Sequence, residues 1–333
     1  MGVDLSGLLQ SEEVKLASLS MKSLAVDAFN TIFQFLSIIR QYDGTPLMDS
    51  KGRITSHLSG LFYRNVNLMK QGVRLVYVFD GRPPSFKIKT IESREKRKEV
   101  AKKKYEQALK DKDYASARKY ASQTAVLTDD MINDAKKLLQ AMGIPVIQAP
   151  SEGEAQCAHL ALKRKVYAVA SQDYDSLLFG APILVRNINI TGKRKLPNKE
   201  QYVYINPEKI ELESNLKRLG LTREQLVVLS LFLGTDYNEG VKGIGVKKAY
   251  TIVKENKVED VIDKYGFDRK IVEWFLHPKV KDVSFKFGNL NRDEIVKILV
   301  DEHDFSEERV NRVLDDLESV RRSGAQTDLS RFM

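Results

Sequence analysis

The chain of 333 residues has a single cysteine, Cys157, which excludes an internal disulfide and with it every disulfide-stapled scaffold. Histidine is almost as scarce: His57, His159, His277 and His303 are scattered, form no HExxH-type motif, and need nothing beyond packing or surface roles. No stretch approaches the roughly 18 consecutive apolar residues of a membrane span. The opening stretch MGVDLSGLLQSEEVKLASLS has acids between its apolar positions and does not read as a secretory signal. A long Gly/Ser linker and a repeat of about 20–50 residues are also lacking, so neither a flexible tandem array nor a solenoid is indicated.

Charge, in contrast, is plentiful. Lys and Arg number 54 against 45 Asp and Glu, a net charge of +9, and 42% of residues are hydrophobic, enough for a sizeable core. The surplus points to a polyanionic partner, nucleic acid before a membrane surface. It is concentrated in residues 87–104, KIKTIESREKRKEVAKKK, with nine basic and three acidic side chains.

Four apolar runs read as buried strands: residues 23–29, 74–81, 144–150 and 166–175. Residues 183–188 and 200–207 read as a later strand pair. Helical spacing recurs between the first strands, as in Phe29, Ile32, Phe33, Leu36 and Ile39, and again in Met131, Ile132, Ala135, Leu138 and Leu139. Strands alternating with helices predict an α/β fold with a twisted, mostly parallel sheet covered on both faces. Residues 87–128 interrupt two core strands and read as a helical insertion. From about residue 216 the pattern is helical, with Asn291 and Ser306 as helix starts, and from Ser323 the chain reads as an untethered tail.

Acids stand where the apolar runs end. Asp27 and Asp80 each close one, and VYAVASQDYD carries Asp173 and Asp175, whose spacing of two places both on one side if the strand continues. In SEGE, Ser151 and Glu154 match a capping box; Glu152 and Glu154 then point about 200° apart on a helix and converge only if Glu152 sits in the turn before it. Each acid alone is satisfied as a cap or turn residue. Together with Asp236 they make seven, and unneutralised carboxylates in one cleft repel and are driven to protonate. Divalent cations remove that conflict, and a carboxylate-only donor set selects Mg²⁺ or Mn²⁺ over zinc. In a basic protein such a set suits two-metal hydrolysis of a phosphodiester.

The motifs VDAFN, VYVFDGRPPSFK, PSEGEAQCAHL, ASQDYDSLLFG and LFLGTDYNEGVKGIGVKKA, in this order, resemble those of the structure-specific flap endonucleases, the branch of the xeroderma-pigmentosum-G type nucleases that trims 5′ flaps. The resemblance spans essentially the whole chain. It implies a PIN-like nuclease domain over 1–322, made of an N-terminal part (1–86), a helical arch (87–128), an internal part with a helix–two-turn–helix element (129–258) and a C-terminal helical region (259–322). It implies that Asp27, Asp80, Glu152, Glu154, Asp173, Asp175 and Asp236 bind two Mg²⁺ ions, which Mn²⁺ can replace, and that Lys87 and Arg94 contact the scissile phosphate. Gly2, Phe33, Arg40, Gly243, Gly245, Lys247 and Lys248 are implied to contact DNA, Phe33 by stacking on a base, and the GVKGIGVKKA loop to hold K⁺. The tail QTDLSRFM, residues 326–333, resembles the sliding-clamp box: Gln326, Leu329 and Phe332 fit it, and Met333 stands where the second aromatic belongs.

The implied activity is metal-dependent endonucleolytic and 5′→3′ exonucleolytic cleavage of branched DNA in replication, by Okazaki-fragment flap removal, and in repair. The enzyme is expected to be a monomer that binds the DNA sliding clamp and no membrane. The short tail suggests an archaeal cytoplasm rather than a nucleus. A 5′→3′ exonuclease or a bubble or junction endonuclease of the same family would share the acids but differ in the arch. A non-catalytic DNA-binding scaffold on the clamp would not need seven converging acids.

Overall fold

In the computed structural model of the chain, residues 2–190, 192–195 and 202–329 are described; for 88–94, 193–195, 321 and 323–329 this covers the backbone alone. The strands are β1 (Glu12–Glu13), β2 (Ser23–Asp27), β3 (Arg74–Phe79), β4 (Val146–Gln148), β5 (Ala168–Ala170), β6 (Ile183–Arg186), β7 (Gly192–Lys195), β8 (Tyr202–Ile205) and β9 (Glu208–Glu211). Seven of them form one sheet in the order β1-β9-β6-β5-β2-β3-β4, and β7 and β8 pair separately. From β6 to β4 the strands are parallel. β9 lies antiparallel to β6, and β1 antiparallel to β9.

The period of two along each strand divides the core between the faces. Ala25, Val76, Val78, Val169 and Leu184 look to one side. Leu24, Val26, Leu75, Tyr77, Phe79, Ala168 and Ala170 look to the other. Both faces are apolar because both are covered by helices, as a parallel sheet requires. The helices before β5 are α1 (Ala28–Ile38), α2 (Ser56–Lys70), α3 (Ile88–Lys110), α4 (Tyr114–Ala121), α5 (Asp129–Ala141) and α6 (Gly153–Leu162). After β5 come α7 (Asp175–Leu178), α8 (Leu212–Leu219), α9 (Arg223–Leu233), α10 (Val246–Glu255), α11 (Val258–Tyr265), α12 (Arg269–Leu276), α13 (Arg292–Val296) and α14 (Glu307–Leu329). Helices α1, α2, α5 and α14 cover the second face, while α6, α9, α10 and α12 cover the first. No described helix is long and apolar enough to cross a membrane.

Four expectations need correction. Residues 183–188 and 200–207 do not pair with each other. β6 pairs with β5 and with β9, because Leu184 and Val185 are both buried and demand neighbours on either side, and Ile210 of β9 supplies the matching buried residue. Tyr202, Val203 and Tyr204 are exposed, and their strand folds back on β7 outside the core. At the C-terminus, α14 runs through Leu329, into the stretch whose composition reads as a tail. Extending an existing helix fixes one residue per added hydrogen bond, so weak helix formers can follow a well-anchored segment; here Val310, Leu314 and Leu317 are the buried anchors. The other two, at the end of β5 and at the start of α6, lie in the crevice described below.

The helices α3 and α4 form an antiparallel pair standing off the sheet. Among their described side chains the buried ones are alanines, Ala101 and Ala108 on α3 and Ala117 and Ala121 on α4, so small side chains let the two axes approach. The loop after α1 braces this pair: Tyr42 meets Tyr114 with ring centroids 6.0 Å apart, and the Arg118 guanidinium lies 5.5 Å from the Tyr42 ring.

Candidate active site

The chain goes from β2 outward to β3 and β4, then returns to place β5 and β6 on the other side of β2. That reversal opens a crevice at the C-terminal ends of β2 and β5, the position where ligands bind in such sheets. The acids gather there. Asp27 ends β2 and caps α1, its Oδ1 accepting the Asn30 amide at 3.1 Å. Asp80 follows β3, and its Oδ1 accepts the Gly153 amide at 2.6 Å, tying the strand end to the start of α6. A Cβ at 153 would stand 2.6 Å from Asp80 Oδ1, so a side chain there would displace this carboxylate.

Helix α6 begins at Gly153, which leaves Glu152 in the extended turn before it, at φ −73° and ψ 131°. The capping box suggested by SEGE does not form. Ser151 instead donates to the Arg82 carbonyl at 2.9 Å, and Glu154 turns into the crevice to accept the Ser171 hydroxyl at 2.8 Å. β5 stops at Ala170, so Asp173 and Asp175 are not alternate positions of one strand. Asp173 lies in the following bend, and Asp175 is the first residue of α7. They meet because the chain turns between them, and Asp175 Oδ1 accepts the Val3 amide at 2.9 Å. Asp236 comes from the loop after α9.

Burial together with like charge raises the proton affinity of these groups. Asp80 is pushed up to about 6 by burial and then by Glu152. Asp175 is pushed up to about 7 by burial and then by Asp236 and Asp173. Asp27 is raised well above the carboxylate range by burial, with Asp80 and Asp173 adding to it, and Glu154 by burial, with Asp175 and Asp27 adding to it. Lys87, just before α3, reaches into the cluster. Its Nζ is 2.5 Å from Glu152 and 3.7 Å from Asp236. Burial draws the Lys87 ammonium down, yet Glu152, Asp236 and Asp80 outweigh it and leave it above its ordinary value.

Among the described residues no three donors already surround one point closely enough to hold an ion. Lys87 spans Glu152 and Asp236, and the other acids accept hydrogen bonds from protein donors. The donor set nevertheless fits divalent cations: it is oxygen only, largely desolvated, and carries more negative charge than one ammonium can balance.

Of the other residues singled out in the sequence, Gly2 touches this centre, so closely that a Cβ would stand 2.7 Å from Asp175 Oδ1. Phe33 is partly buried on α1, with the Lys98 ammonium 5.1 Å from its ring centroid. Arg40 turns back on its own loop and donates to the Gly44 carbonyl at 2.9 Å, and burial lowers its proton affinity. Gly243 has φ +82°, Gly245 precedes the first turn of α10, and nothing lies within 4 Å of where either Cβ would be, so this backbone is open to an approaching group. Lys247 and Lys248 are exposed on the first turn of α10. Arg94 lies on α3, and Gln326 and Leu329 on the last turns of α14; their side chains are outside the described residues, as are Phe332 and Met333 entirely.

Two polar residues at the centre escaped the sequence reading. Asn30 donates to Asp173 Oδ2 at 2.8 Å, and Ser171 serves Glu154. The signal for Asn30 was its place three residues after Asp27, one helical turn on; nothing in the sequence marks Ser171.

Residues 1–101 match the XPG N-terminal domain and residues 143–236 the XPG I-region. Flap endonuclease 1 of Thermococcus onnurineus is 53% identical over 339 residues, covering 100% of this chain and 99% of the relative. The flap endonuclease-1 structure from Methanococcus jannaschii superposes with a TM-score of 0.77 at 39% identity, covering 97% of this chain and 100% of that one. The catalytic core of Rad2 in complex with DNA substrate superposes at 0.68 with 27% identity, over 92% of this chain and 96% of that one. Full-length identity, both XPG regions and the acidic crevice between β2 and β5 agree, and the chain belongs to the flap endonuclease 1 branch of the XPG nuclease family.

Proposed function

We propose that the seven carboxylates hold two divalent ions, Mg²⁺ or Mn²⁺, and that the chain uses them to cut 5′ flaps from branched DNA, with 5′→3′ exonuclease action on related ends. The observation that carries this reading is the convergence of Asp27, Asp80, Glu152, Glu154, Asp173, Asp175 and Asp236, from five separate segments, on the crevice where the strand order reverses. Bound there, divalent ions supply Lewis-acid chemistry: a more acidic water, and charge stabilisation on the entering and leaving oxygens of an in-line displacement.

The chain's own groups do the rest. Lys87 stands at the foot of α3 with its ammonium among the acids, and with Arg94, two turns further on, it meets the scissile phosphate and offsets the charge that builds up in the transition state. Phe33 offers a ring for stacking on the terminal base. Gly2 and Arg40 contact the DNA near the crevice and the brace loop. The open turn at Gly243 and Gly245, with the N-terminus of α10 and Lys247 and Lys248, grips duplex phosphates, and its carbonyls hold K⁺. Residues 326–333, with Gln326, Leu329, Phe332 and Met333, tether the enzyme to the sliding clamp during replication and repair.

The test is cleavage of matched flap, nick, gap, bubble and single-stranded DNAs with and without Mg²⁺. The expected result is metal-dependent cutting strongest on the flap. Preference for bubbles or four-way junctions would move the chain to a sister activity, and cutting without metal would remove the assignment of the acids.

A further inference from the structure

Asn30 is the third residue of α1 and carries two separable links. Its backbone amide donates to Asp27 Oδ1, which is ordinary helix capping. Its side chain does something capping does not need. Nδ2 donates to Asp173 Oδ2 at 2.8 Å, and Oδ1 accepts the Gln172 amide at 3.4 Å. One residue thereby joins a carboxylate at the end of β2 to a carboxylate and a backbone group after β5, the neighbouring strand across the crevice. Asp173 is fixed from its other side as well, its amide donating to Ser171 Oγ at 3.2 Å, while Ser171 in turn holds Glu154.

The chemistry of that link is specific. Asp27 and Asp173 are like charges that repel one another. A lysine or arginine bridging them would hold them but would neutralise the charge that attracts a cation. A carboxamide donates one hydrogen bond and adds no charge, so it sets the orientation of Asp173 without placing a cation beside it. Partners of this kind orient ligands before the ion arrives, and losing one typically lowers metal affinity by roughly 10–100-fold.

We propose that Asn30 is a positioning residue for metal binding: its carboxamide presets Asp173 against Asp27. The inference rests on the assignment of the acids as metal ligands, and the experiment separates the two. Mn²⁺ binding to the full chain without DNA is followed through the electron paramagnetic resonance signal of free Mn²⁺, for the wild type, Asn30→Ala, Asn30→Leu and Asp175→Ala. Both Asn30 variants keep the backbone bond to Asp27, so their melting temperatures should stay close to wild type. Their Mn²⁺ affinity should fall about tenfold, and the Mg²⁺ concentration for half-maximal single-turnover cleavage should rise by a similar factor, with the rate largely restored at saturating Mg²⁺. Unchanged Mn²⁺ affinity, a rate loss that excess Mg²⁺ does not restore, or collapse of melting in both variants would overturn the proposal. If Asp175→Ala itself binds Mn²⁺ like the wild type, the metal assignment fails; if it loses Mn²⁺ while the Asn30 variants do not, only the role of Asn30 fails.

Discussion

At the ends of β2, β3 and β5 the charges are negative and withdrawn from water; along α3 they are positive and solvated. Asp27, Glu152 and Asp175 are each less than a tenth exposed. Lys96, Arg97, Lys102, Lys103 and Lys104 are all exposed, and the buried side chains described on α3 and α4 are alanines. The difference decides how much one side chain matters. In the crevice each carboxylate perturbs the next, so removing one alters the whole set. On the helix, water and salt screen each cation, and a neighbour stands in for the one lost. Lys87 belongs by sequence to the basic run and by environment to the acids, and it should behave like the acids.

The largest effect expected is at Asp175. Asp175→Ala should abolish Mg²⁺-dependent cleavage while flap-DNA binding persists, because affinity comes chiefly from phosphate contacts elsewhere. A well-folded variant with near-normal turnover would break the comparison at its buried end.

Next comes the contrast inside the basic run. Lys87→Ala should slow single-turnover cleavage by roughly 10²-fold at saturating enzyme, the scale of losing one electrostatic stabiliser. Lys102→Ala and Lys103→Ala should alter that rate little. Equal losses from all three would show that position in the fold adds nothing to charge.

A smaller effect is a change of stability with pH in metal-free protein. The carboxyl of Asp175 is raised from 3.8 to about 7 in the fold, so between these values the native state binds more protons than the unfolded chain. Stability contributed at this group therefore falls as pH rises through that window. Asp175→Asn can still accept the Val3 amide and has no charge to bury. In EDTA it should melt higher than the wild type at pH 8 and nearly together with it at pH 4. A gap of equal size at both pH values would mean that burial of charge is not the cause.

The smallest effect on chemistry is expected at the C-terminus. Deleting residues 326–333 should leave cleavage of free flap DNA unchanged and remove clamp binding. Calorimetric titration of the clamp with full-length and truncated chains checks this, and equal affinity would place any clamp contact elsewhere.

Much of this molecule could be read from its residues alone. The apolar runs of β2 and β3, each closed by an aspartate, reported a buried parallel sheet and an acidic edge, because a strand covered on both faces must be apolar throughout and its first polar residue marks where cover ends. The basic run over α3 was likewise visible as composition, and the turn before α10 through the family resemblance of GVKGIGVKKA. Partnership was not. Burial on both faces sent β6 to β5 and β9 rather than to β8, Asp173 and Asp175 met across a turn rather than along a strand, and Ser151 went to Arg82 instead of capping α6. Lys87 chose Glu152, and Asn30 chose Asp173, across 65 and 143 residues of chain. Local sequence determines which segments hide from water and which residues carry charge, since both follow from side-chain chemistry over a few positions. Which charges face one another depends on the order of strands across the sheet, and that order is set by packing among segments far apart in the chain.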